Sequence, residues 1–483
     1  MCTYLEPAKE LPVYRFDVVV AGGGTAGVIA AIAAARTGAS VALIEAKGYV
    51  GGTMLEGGTT LHSFFTLGKI HGRESKQIVK GIAQELIDRL VAVGGSTGHL
   101  IDELGIDYDE HCTLIDVESV KLVEAEMLEE AGVQIWFNTL VAGADVENGH
   151  ICGMIAQSRV EGRIYFEAHS FIDATGWGDL SAYAGAKFTV PKEFSVANSV
   201  GVAGVDVERY AKYIEENGGL TGVTYGPRDG EEHQIVRIGA SFWKVLSTLM
   251  AAHKKAQGKD PGYTEEELKQ NKIPLSVQQQ MAKLALTLGV TTMHDNYFMY
   301  LKCNYVMKEG LTSQTDMTKA EIELRRRQAA AIDLLRKNIP GCEKAFIART
   351  SPTLCTRRGR TIECEYDISN AEILEGKHFD DDICYFGFHD LAPKYHVGGD
   401  GSYGIPLRAI LVKGIDNLFA VGMMITSDYD AYMSTRNTVS CMGQGQAAGT
   451  LAAMAAKASL PLRSVPVCDL QARLKEDGVY LGQ

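Results

Sequence analysis

The sequence has few prolines and lacks the cysteine pairs that mark redox or metal sites. Only 12 of its 483 residues are proline, and none of its ten cysteines forms a C-x-x-C pair with another. A zinc ribbon, an iron–sulfur cluster and a dithiol redox motif are therefore unsupported, and no metal is predicted.

Basic residues are also scarce. Lys and Arg number 47 against 60 Asp and Glu, which gives a net charge of −13. Phosphate binding depends on clustered Lys and Arg, so a nucleic-acid partner is not expected. The one local basic cluster, Arg357-Arg358-Gly359-Arg360, is too short to reverse this.

Long apolar runs are absent as well. No stretch reaches the roughly 18 residues of a membrane helix, and Met1–Pro7 carries an acidic residue and a proline where a signal peptide needs basic and then apolar residues. The sequence predicts a cytoplasmic protein that does not bind membranes. A prior of roughly 150 residues per domain suggests two or three domains.

Glycine, by contrast, is abundant, with 52 residues, and one cluster has a specific context. A Val-rich predicted strand at 16–21 leads into Gly22-Gly23-Gly24-Thr25-Ala26-Gly27, and a predicted helix at 28–37 and a strand at 41–45 follow. This is the βαβ fingerprint of dinucleotide binding. Gly22 permits the tight turn, Gly24 lets the backbone approach a diphosphate, and Gly27 packs helix on strand.

Glu45 ends the second strand, where its carboxylate can accept hydrogen bonds from a ribose. FAD and NAD share this fingerprint, so the rest of the chain must separate them. Three further glycine turns favour FAD, and the last comes shortly before Arg436 and a predicted helix at 438–457. These turns are Gly51-Gly52-Thr53-Met54, Ala174-Thr175-Gly176 with the nearby Asp179, and Gly422-Met423. An NAD-dependent dehydrogenase and an RNA-linked flavoprotein of the tRNA-modifying type remain alternatives.

The remaining patterns predict the fold class and its division into domains. Helices are predicted at 75–93 and from Asp116 or Ser119 to 131, a strand at 133–137, and a hairpin at 151–156 and 163–168. A strand running into a turn is predicted at 171–176 and another at 417–422. Between 190 and 395 the pattern changes to helices at 242–256, 264–287 and 318–337, with a turn-rich segment at 220–232.

We therefore predict an α/β fold, with a three-layer, Rossmann-like FAD-binding domain that carries an inserted mixed α+β substrate domain. The FAD-binding domain is assigned to 1–190 and 395–483, and the substrate domain to 191–394.

Several segments at both ends of the chain together resemble one family. They are Glu6–Val13, the first glycine loop, Gly48–Gly52, Asp173–Asp179, Ile405–Arg408, Val412–Leu418 and the stretch from Cys441 through Gln444–Thr450. The sequence resembles the bacterial FAD-dependent oxidoreductase family, which is distantly related to the glutathione reductase and fumarate reductase flavoproteins.

The resemblance implies roles for particular residues. Glu45, beside Ala46, would hold the adenosine ribose, and Val141 would meet adenine through its backbone. The turn at 174–179 would line the diphosphate, with Asp179 beside it. Larger relatives end the last turn with Gly-Asp, whose acid contacts the ribityl chain or the diphosphate. Here Met423 follows Gly422, so this one contact differs.

A flavin performs hydride transfer itself, so the protein needs a proton donor or acceptor, an orienting charge and a dry pocket. His62, His396 and Arg436 are the candidate catalytic residues, and His389 and Arg408 are weaker candidates. The expected function is an oxidoreductase that holds FAD noncovalently and acts on a small molecule. A separate electron carrier and a second copy of the chain are open as partners.

Overall fold

The computed structural model describes residues 8–57, 61–101, 110–191, 194–240, 272–286, 288–308, 312–392 and 394–482. Its strands are β1 Val13–Ala21, β2 Val41–Ile44, β3 Leu61–His62, β4 Ser96–Ile101, β5 His111–Ile115, β6 Gln134–Trp136, β7 Thr139–Glu147, β8 His150–Ser158, β9 Gly162–Asp173, β10 Phe188–Thr189, β11 Phe194–Ala203, β12 Leu220–Arg228, β13 Glu231–Ala240, β14 Val290–Thr291, β15 Tyr297–Met307, β16 Phe346–Thr350, β17 Cys355–Thr356, β18 Thr361–Ile362, β19 Asp382–Phe386, β20 Tyr403–Pro406 and β21 Leu418–Ala420.

The helices are α1 Thr25–Arg36, α2 Thr53–Glu56, α3 Ile82–Ala92, α4 Val117–Glu130, α5 Asp179–Tyr183, α6 Val207–Glu216, α7 Leu275–Leu284, α8 Gln314–Asn338, α9 Asn370–Glu375, α10 Tyr429–Thr435, α11 Thr438–Ala458 and α12 Val467–Glu476. Short 3-10 turns lie at Lys69–His71, Leu407–Ala409 and Leu462–Ser464. Among the residues described, no helix is both long and apolar enough to cross a membrane.

A parallel sheet forms the centre of the molecule. Strand β1 pairs in parallel with β2 and β9, β2 with β6, and β21 with β9, and the antiparallel strands β8 and β7 extend the sheet beyond β9. The half of β1 from Val18 to Ala21 is fully buried, which explains its near-continuous run of apolar residues. The predicted α/β class with a Rossmann-like core is confirmed.

Helices α1 and α11 pack on one face of this sheet and lie unusually close to each other. A Cβ added to Gly445 of α11 would lie 2.2 Å from the carbonyl oxygen of Ala26, and one on Gly449 would lie 2.0 Å from that of Ala30. Only glycine permits this approach, because any side chain would overlap the backbone of α1. The glycine spacing in α11 thereby fixes the C-terminal helix against the helix that follows the first loop.

A second hydrophobic core lies around the antiparallel sheet of β11, β15, β16 and β17. Helix α8 packs against this sheet. The helix predicted at 318–337 is thereby confirmed. Of the helix predicted at 264–287, the structure describes only α7. The helix predicted at 242–256 lies outside the described residues. The division into domains at 1–190, 191–394 and 395–483 stays a prediction.

Three predicted elements need correction. Residues 220–232 are not merely turns, since β12 and β13 pair as a hairpin there. The helix predicted from residue 75 begins only at Ile82, because Gln77 forms a bridge with Phe65 and Gly81 has a φ of +69°. The strands predicted at 163–168 and 171–176 are one strand, β9, which pairs with β8 on one side and with β1 on the other.

Candidate functional site

The four glycine turns predicted from the sequence meet at the carboxyl ends of the parallel strands. The amide of Gly51 donates to the carbonyl oxygen of Gly23 at 2.9 Å, which joins the second turn to the first. A Cβ on Gly22, whose φ is +99°, would lie 2.5 Å from the carbonyl oxygen of Ala174 in the third turn. These approaches exclude side chains at the crossing points and leave backbone facing the space between the turns.

The fourth turn closes against the third. A Cβ on Gly176 would lie 2.9 Å from the methyl carbon of Met423. The side-chain oxygen of Gln444 on α11 accepts from the amide of Gly422 at 2.8 Å, and its nitrogen donates to the carbonyl oxygen of Thr435 at 3.0 Å. Gln444 therefore holds the fourth turn next to the first residues of α11, whose N–H groups have no side-chain cap.

A cavity of about 1250 Å³ runs along these turns. Most of the predicted site residues line it, and their roles stay predictions. They are Gly22, Gly24, Thr25, Ala26, Glu45, Ala46, Gly52, Thr53, His62, Val141, Ala174, Thr175, Gly176, Asp179, Gly422, Met423 and Arg436.

Four predicted residues are not among those lining the cavity. Gly27 packs beneath the loop, where a Cβ would lie 1.9 Å from the carbonyl oxygen of Gly22, and a Cβ on Gly51 would meet Leu55. Met54 is buried in the core. His396 is half-buried, and its Nδ1 is buried without a hydrogen bond in the described part of the chain.

Glu45 lies just beyond β2 with its carboxylate turned back onto the glycine loop. One oxygen accepts from the amide of Gly23 at 2.7 Å and the other from the amide of Lys47 at 2.8 Å. Burial raises the pKa of Glu45, while Lys47 opposes that rise. A carboxylate oxygen can accept more than one hydrogen bond, so a ribose hydroxyl can still bind there.

The third turn is held by the buried Asp173 at the end of β9. This carboxylate accepts from the amide and hydroxyl of Thr175, at 3.1 and 2.8 Å, and from the amide and hydroxyl of Ser181, both at 2.7 Å. Asp179 begins α5 and pairs with Arg360 at 2.8 Å. The aspartate at the strand end thus shapes the backbone that lines the cavity.

His62 lies on the short strand β3, paired with Thr113 of β5. It is 7% exposed, lines the cavity, and its Nε2 has no hydrogen-bond partner within the described residues. Burial lowers the pKa of His62 to about 4. The imidazole is therefore neutral near pH 7 and can donate or accept one hydrogen bond at the cavity.

Arg436 follows α10 and forms a buried ion pair with Asp390. Its Nε is buried without a hydrogen bond in the described ranges, and its guanidinium lies 5.7 Å from the ring centre of Tyr432. The weaker candidates lie elsewhere: His389 bonds to Asn370 at 3.0 Å, and Arg408 pairs with Asp381 and lies 4.4 Å from the ring of Tyr366. Neither weaker candidate is among the cavity residues.

Sequence reasoning missed several residues of this site. Glu56 lines the cavity and is bound by the ammonium of Lys47 and the hydroxyl of Tyr49. Asp390 also lines the cavity and pairs with Arg436. Lys302 lies close enough to Asp390 and Arg436 to feel their charges. One signal was available: Lys302 is a single cation within the apolar run at 297–307.

The residues present fit FAD. Buried polar atoms of His62, Ser63, Arg360 and Arg436 have no hydrogen bond within the described residues, although all four side chains lie at the cavity. Helices α1 and α11 both begin at the cavity, and neither has a side-chain cap on its first N–H groups. Such helix starts favour anionic groups, which FAD carries in its diphosphate.

The glycine turns, the parallel sheet and the two helix starts define a dinucleotide-binding protein with room for a large cofactor. A family model described as FAD dependent oxidoreductase matches residues 17–474. The chain belongs to the FAD-dependent oxidoreductase family, and its cofactor is FAD. This decides against NAD as the dinucleotide.

Several solved structures are similar to the chain. A geranylgeranyl bacteriochlorophyll reductase-like protein from Thermoplasma acidophilum is 12% identical over 96% of this chain and 84% of its own, with a TM-score of 0.48. A p-nitrophenol 4-monooxygenase from Pseudomonas putida is 12% identical over 96% and 84%, with a TM-score of 0.43.

A flavoprotein/dehydrogenase from Cytophaga hutchinsonii is 13% identical over 97% of this chain and 87% of its own, with a TM-score of 0.45. At these TM-scores none of the likenesses bears on the reaction of this chain. The sequence matches none of the curated proteins at a significant level.

Proposed function

We propose that this protein oxidises or reduces a small molecule by hydride transfer to or from noncovalently bound FAD. One observation carries the proposal: a single cavity joins the four glycine turns to the side chains of His62 and Arg436. The flavin supplies the hydride chemistry when bound. The chain's own residues then have to position the substrate, exclude water and handle one proton.

His62 is the residue we assign to the proton. Its buried, neutral imidazole has an unoccupied Nε2 at the cavity, so it can accept a proton from a substrate hydroxyl or donate one hydrogen bond to a carbonyl. The assignment does not include His396, which is not among the residues lining the cavity.

Arg436 is the orienting charge in this proposal. Asp390 neutralises and fixes it, and its orphaned Nε remains for a ligand acceptor. The predicted binding residues divide between the two ends of the cofactor. Glu45 and Val141 would hold the adenosine, and Gly22, Gly24 and the turn at 174–179 would hold the diphosphate, while Gly422 and the start of α11 would lie by the flavin ring.

Anaerobic photoreduction of the purified holoprotein, followed by reoxidation with candidate acceptors, tests the reaction class. Fast reoxidation by an organic acceptor or carrier supports a dehydrogenase or reductase. Rapid reaction with oxygen coupled to incorporation of an oxygen atom into product would contradict simple hydride transfer. Flavin that stays in the protein precipitate after acid treatment would contradict noncovalent binding.

A further inference from the structure

Most of the charged side chains that line the cavity pair with one another. Arg436 is neutralised by Asp390, Arg360 by Asp179, and Lys47 by Glu56. Arg357 lines the same cavity, yet within the described residues its guanidinium has no ion pair or hydrogen bond. Arg357 is therefore a cation at the cavity that no described carboxylate neutralises.

Lys302, near Arg357, is a second cation that has no ion pair or hydrogen bond among the described residues. It lies on β15 directly opposite Ser199 of β11, and Cys355 lies opposite Ala197 on the other side of β11. Residues 197 and 199 share one face of the strand, so Lys302 and Cys355 share it too. Cys355 lines the cavity, and Lys302, which is not itself among the lining residues, lies on the same face of the sheet.

The same face contacts the cofactor half of the molecule. The hydroxyl of Ser199 donates to the carbonyl oxygen of Glu56 at 3.4 Å, and Glu56 lines the cavity. Burial, followed by the charge of Arg357, lowers the pKa of Lys302 to about 7. The charged groups around Lys302 are Arg357, Arg436 and Asp390, with the Cys355 thiol also near. Among the described residues, no carboxylate pairs with its ammonium.

Within the described part of the chain these two cations have no carboxylate partner, and a partly desolvated charge is costly unless a ligand neutralises it. The glycine turns and the start of α1 already suit the diphosphate, so we assign these two cations to another anion. Arg presents a planar fork that matches a carboxylate in bidentate fashion, and Lys adds a point charge. An organic acid therefore satisfies these two cations better than a neutral alcohol or amine.

We propose that the substrate carries a carboxylate group, which Arg357 binds at the cavity and which the nearby charge of Lys302, on the same face of the sheet as Cys355, stabilises. This inference rests on the proposed function, since it names the substrate class of the same site. Arg357 and Lys302 would determine specificity, whereas the proton is left to His62.

The experiment titrates the FAD-loaded protein with acetate, malonate, benzoate and citrate, and with acetamide, malonamide and benzamide as uncharged counterparts. Binding is followed by the flavin difference spectrum and by the shift in melting temperature. We expect at least one carboxylate to bind and its matched amide to bind ten-fold or more weakly. Arg357→Gln and Lys302→Gln should each raise the Kd of that carboxylate at least ten-fold.

Arg326→Gln is the matched control, because the Arg326 side chain is 74% exposed on α8. This variant should bind as the unaltered protein does. Carboxylate affinity should also fall between about pH 6 and about pH 8 as Lys302 loses its proton, and Lys302→Arg should abolish that fall.

The proposal is overturned if no carboxylate binds, if amides bind as tightly as acids, or if both cavity variants keep the affinity. A shift of the flavin reduction potential in Arg357→Gln and Lys302→Gln with unchanged carboxylate affinity would also overturn it, because the charges would then serve the flavin. Carboxylate binding by a protein whose photoreduced flavin reacts with no organic acceptor would uphold this inference and contradict the proposed hydride transfer.

Discussion

The wall of the cavity built from glycine turns presents backbone, whereas the wall built from the antiparallel sheet presents charged side chains. On the first wall Gly22, Gly51 and Gly176 allow contacts that any side chain would block. On the second, Lys302 and Arg357 come from segments some 50 residues apart, meeting only because β15 and β17 both pair with β11. The first wall suits a cofactor shared by many proteins, and the second is where we propose that the substrate binds.

This contrast predicts that substitutions on one wall of the cavity affect flavin binding and that substitutions on the other affect turnover. Variants on the glycine wall should lose FAD, and the residual activity per bound flavin should stay close to normal. Variants at the substrate end should keep FAD and lose rate.

His62→Gln should lower the rate of flavin reduction by substrate roughly 10²–10⁴-fold, because a positioned general acid or base contributes about that much. The flavin content should be unchanged. Stopped-flow reduction of the loaded protein measures the rate. His233→Gln, at an exposed ring stacked on Tyr225, is the control and should keep the full rate. Equal rates in both variants would remove His62 from the mechanism.

The lowered pKa of His62 should also make the stability of the fold depend on pH. Its folded pKa, about 4, is below the unfolded value of about 6.5. The unfolded chain therefore binds the proton more readily, and stability present above about pH 6.5 is lost as the pH falls through about 4. Melting temperatures across this window should fall less steeply in His62→Gln than in the unaltered protein.

Gly22→Ala should weaken FAD binding roughly 100-fold, equivalent to about 2.8 kcal/mol. Its φ of +99° disfavours a side chain, and the added Cβ would meet the carbonyl of Ala174. Equilibrium dialysis of the flavin measures the change. Gly132→Ala provides the matched control, since Gly132 has a φ of +80° and nothing within 4 Å of a Cβ. If both variants lose FAD equally, general backbone strain and not the turn contact is responsible.

Glu45→Gln should raise the Kd for FAD roughly 10-fold. An amide offers one acceptor, so the amide of Gly23 or of Lys47 loses its carboxylate oxygen. Flavin fluorescence on titration gives the affinity. Glu167→Gln, at a side chain 38% exposed and paired with Arg15, should leave it unchanged. A Glu45→Gln protein with normal affinity would exclude the predicted role in holding ribose.

Glu124→Gln should stabilise the protein most at high pH. Glu124 lies beneath the second glycine turn, where its Oε2 would be 3.2 Å from a Cβ on Gly51, and burial raises its pKa to about 8. Because the unfolded value is about 4.3, the stability it contributes is complete below that pH and is lost as the pH rises through about 8.

The melting temperature of Glu124→Gln relative to the unaltered protein should therefore rise by a few degrees between about pH 5 and about pH 8. Glu118→Gln, on the exposed face of the same helix, should show no such trend. A constant difference across the range would mean that Glu124 does not ionise over this interval.

The sequence predicted the glycine wall because its elements are local. The loop at 22–27, Glu45 and the turn at 174–176 each follow a strand that is recognisable from neighbouring residues, and Asp116 was correctly anticipated as a helix cap. The sequence pattern divided the continuous strand β9 in two, because on the side away from β1 its partner changes from β8 to β21 along its length.

The substrate wall could not be predicted in the same way. Arg357 was noted only as part of a short basic cluster, and the structure separates that cluster: Arg357 and Arg360 line the cavity, while Arg358 is buried 4.2 Å from the ring of Tyr432. The position of Lys302 is set by strand pairing with the distant β11, and Asp390 pairs with Arg436, 46 residues further along the chain. Local periodicity records neither.

The packing of α11 on α1 also bears on how the chain folds as it is synthesised. Helix α1 and strand β9 lie early in the chain, but the glycines that cover α1 and the strand β21 that completes the sheet come from residues 418–458. At about 5–20 residues per second, translation needs roughly 20–80 s to reach them from the first loop. During that interval the apolar surface of α1 lacks the cover that α11 gives it in the folded protein.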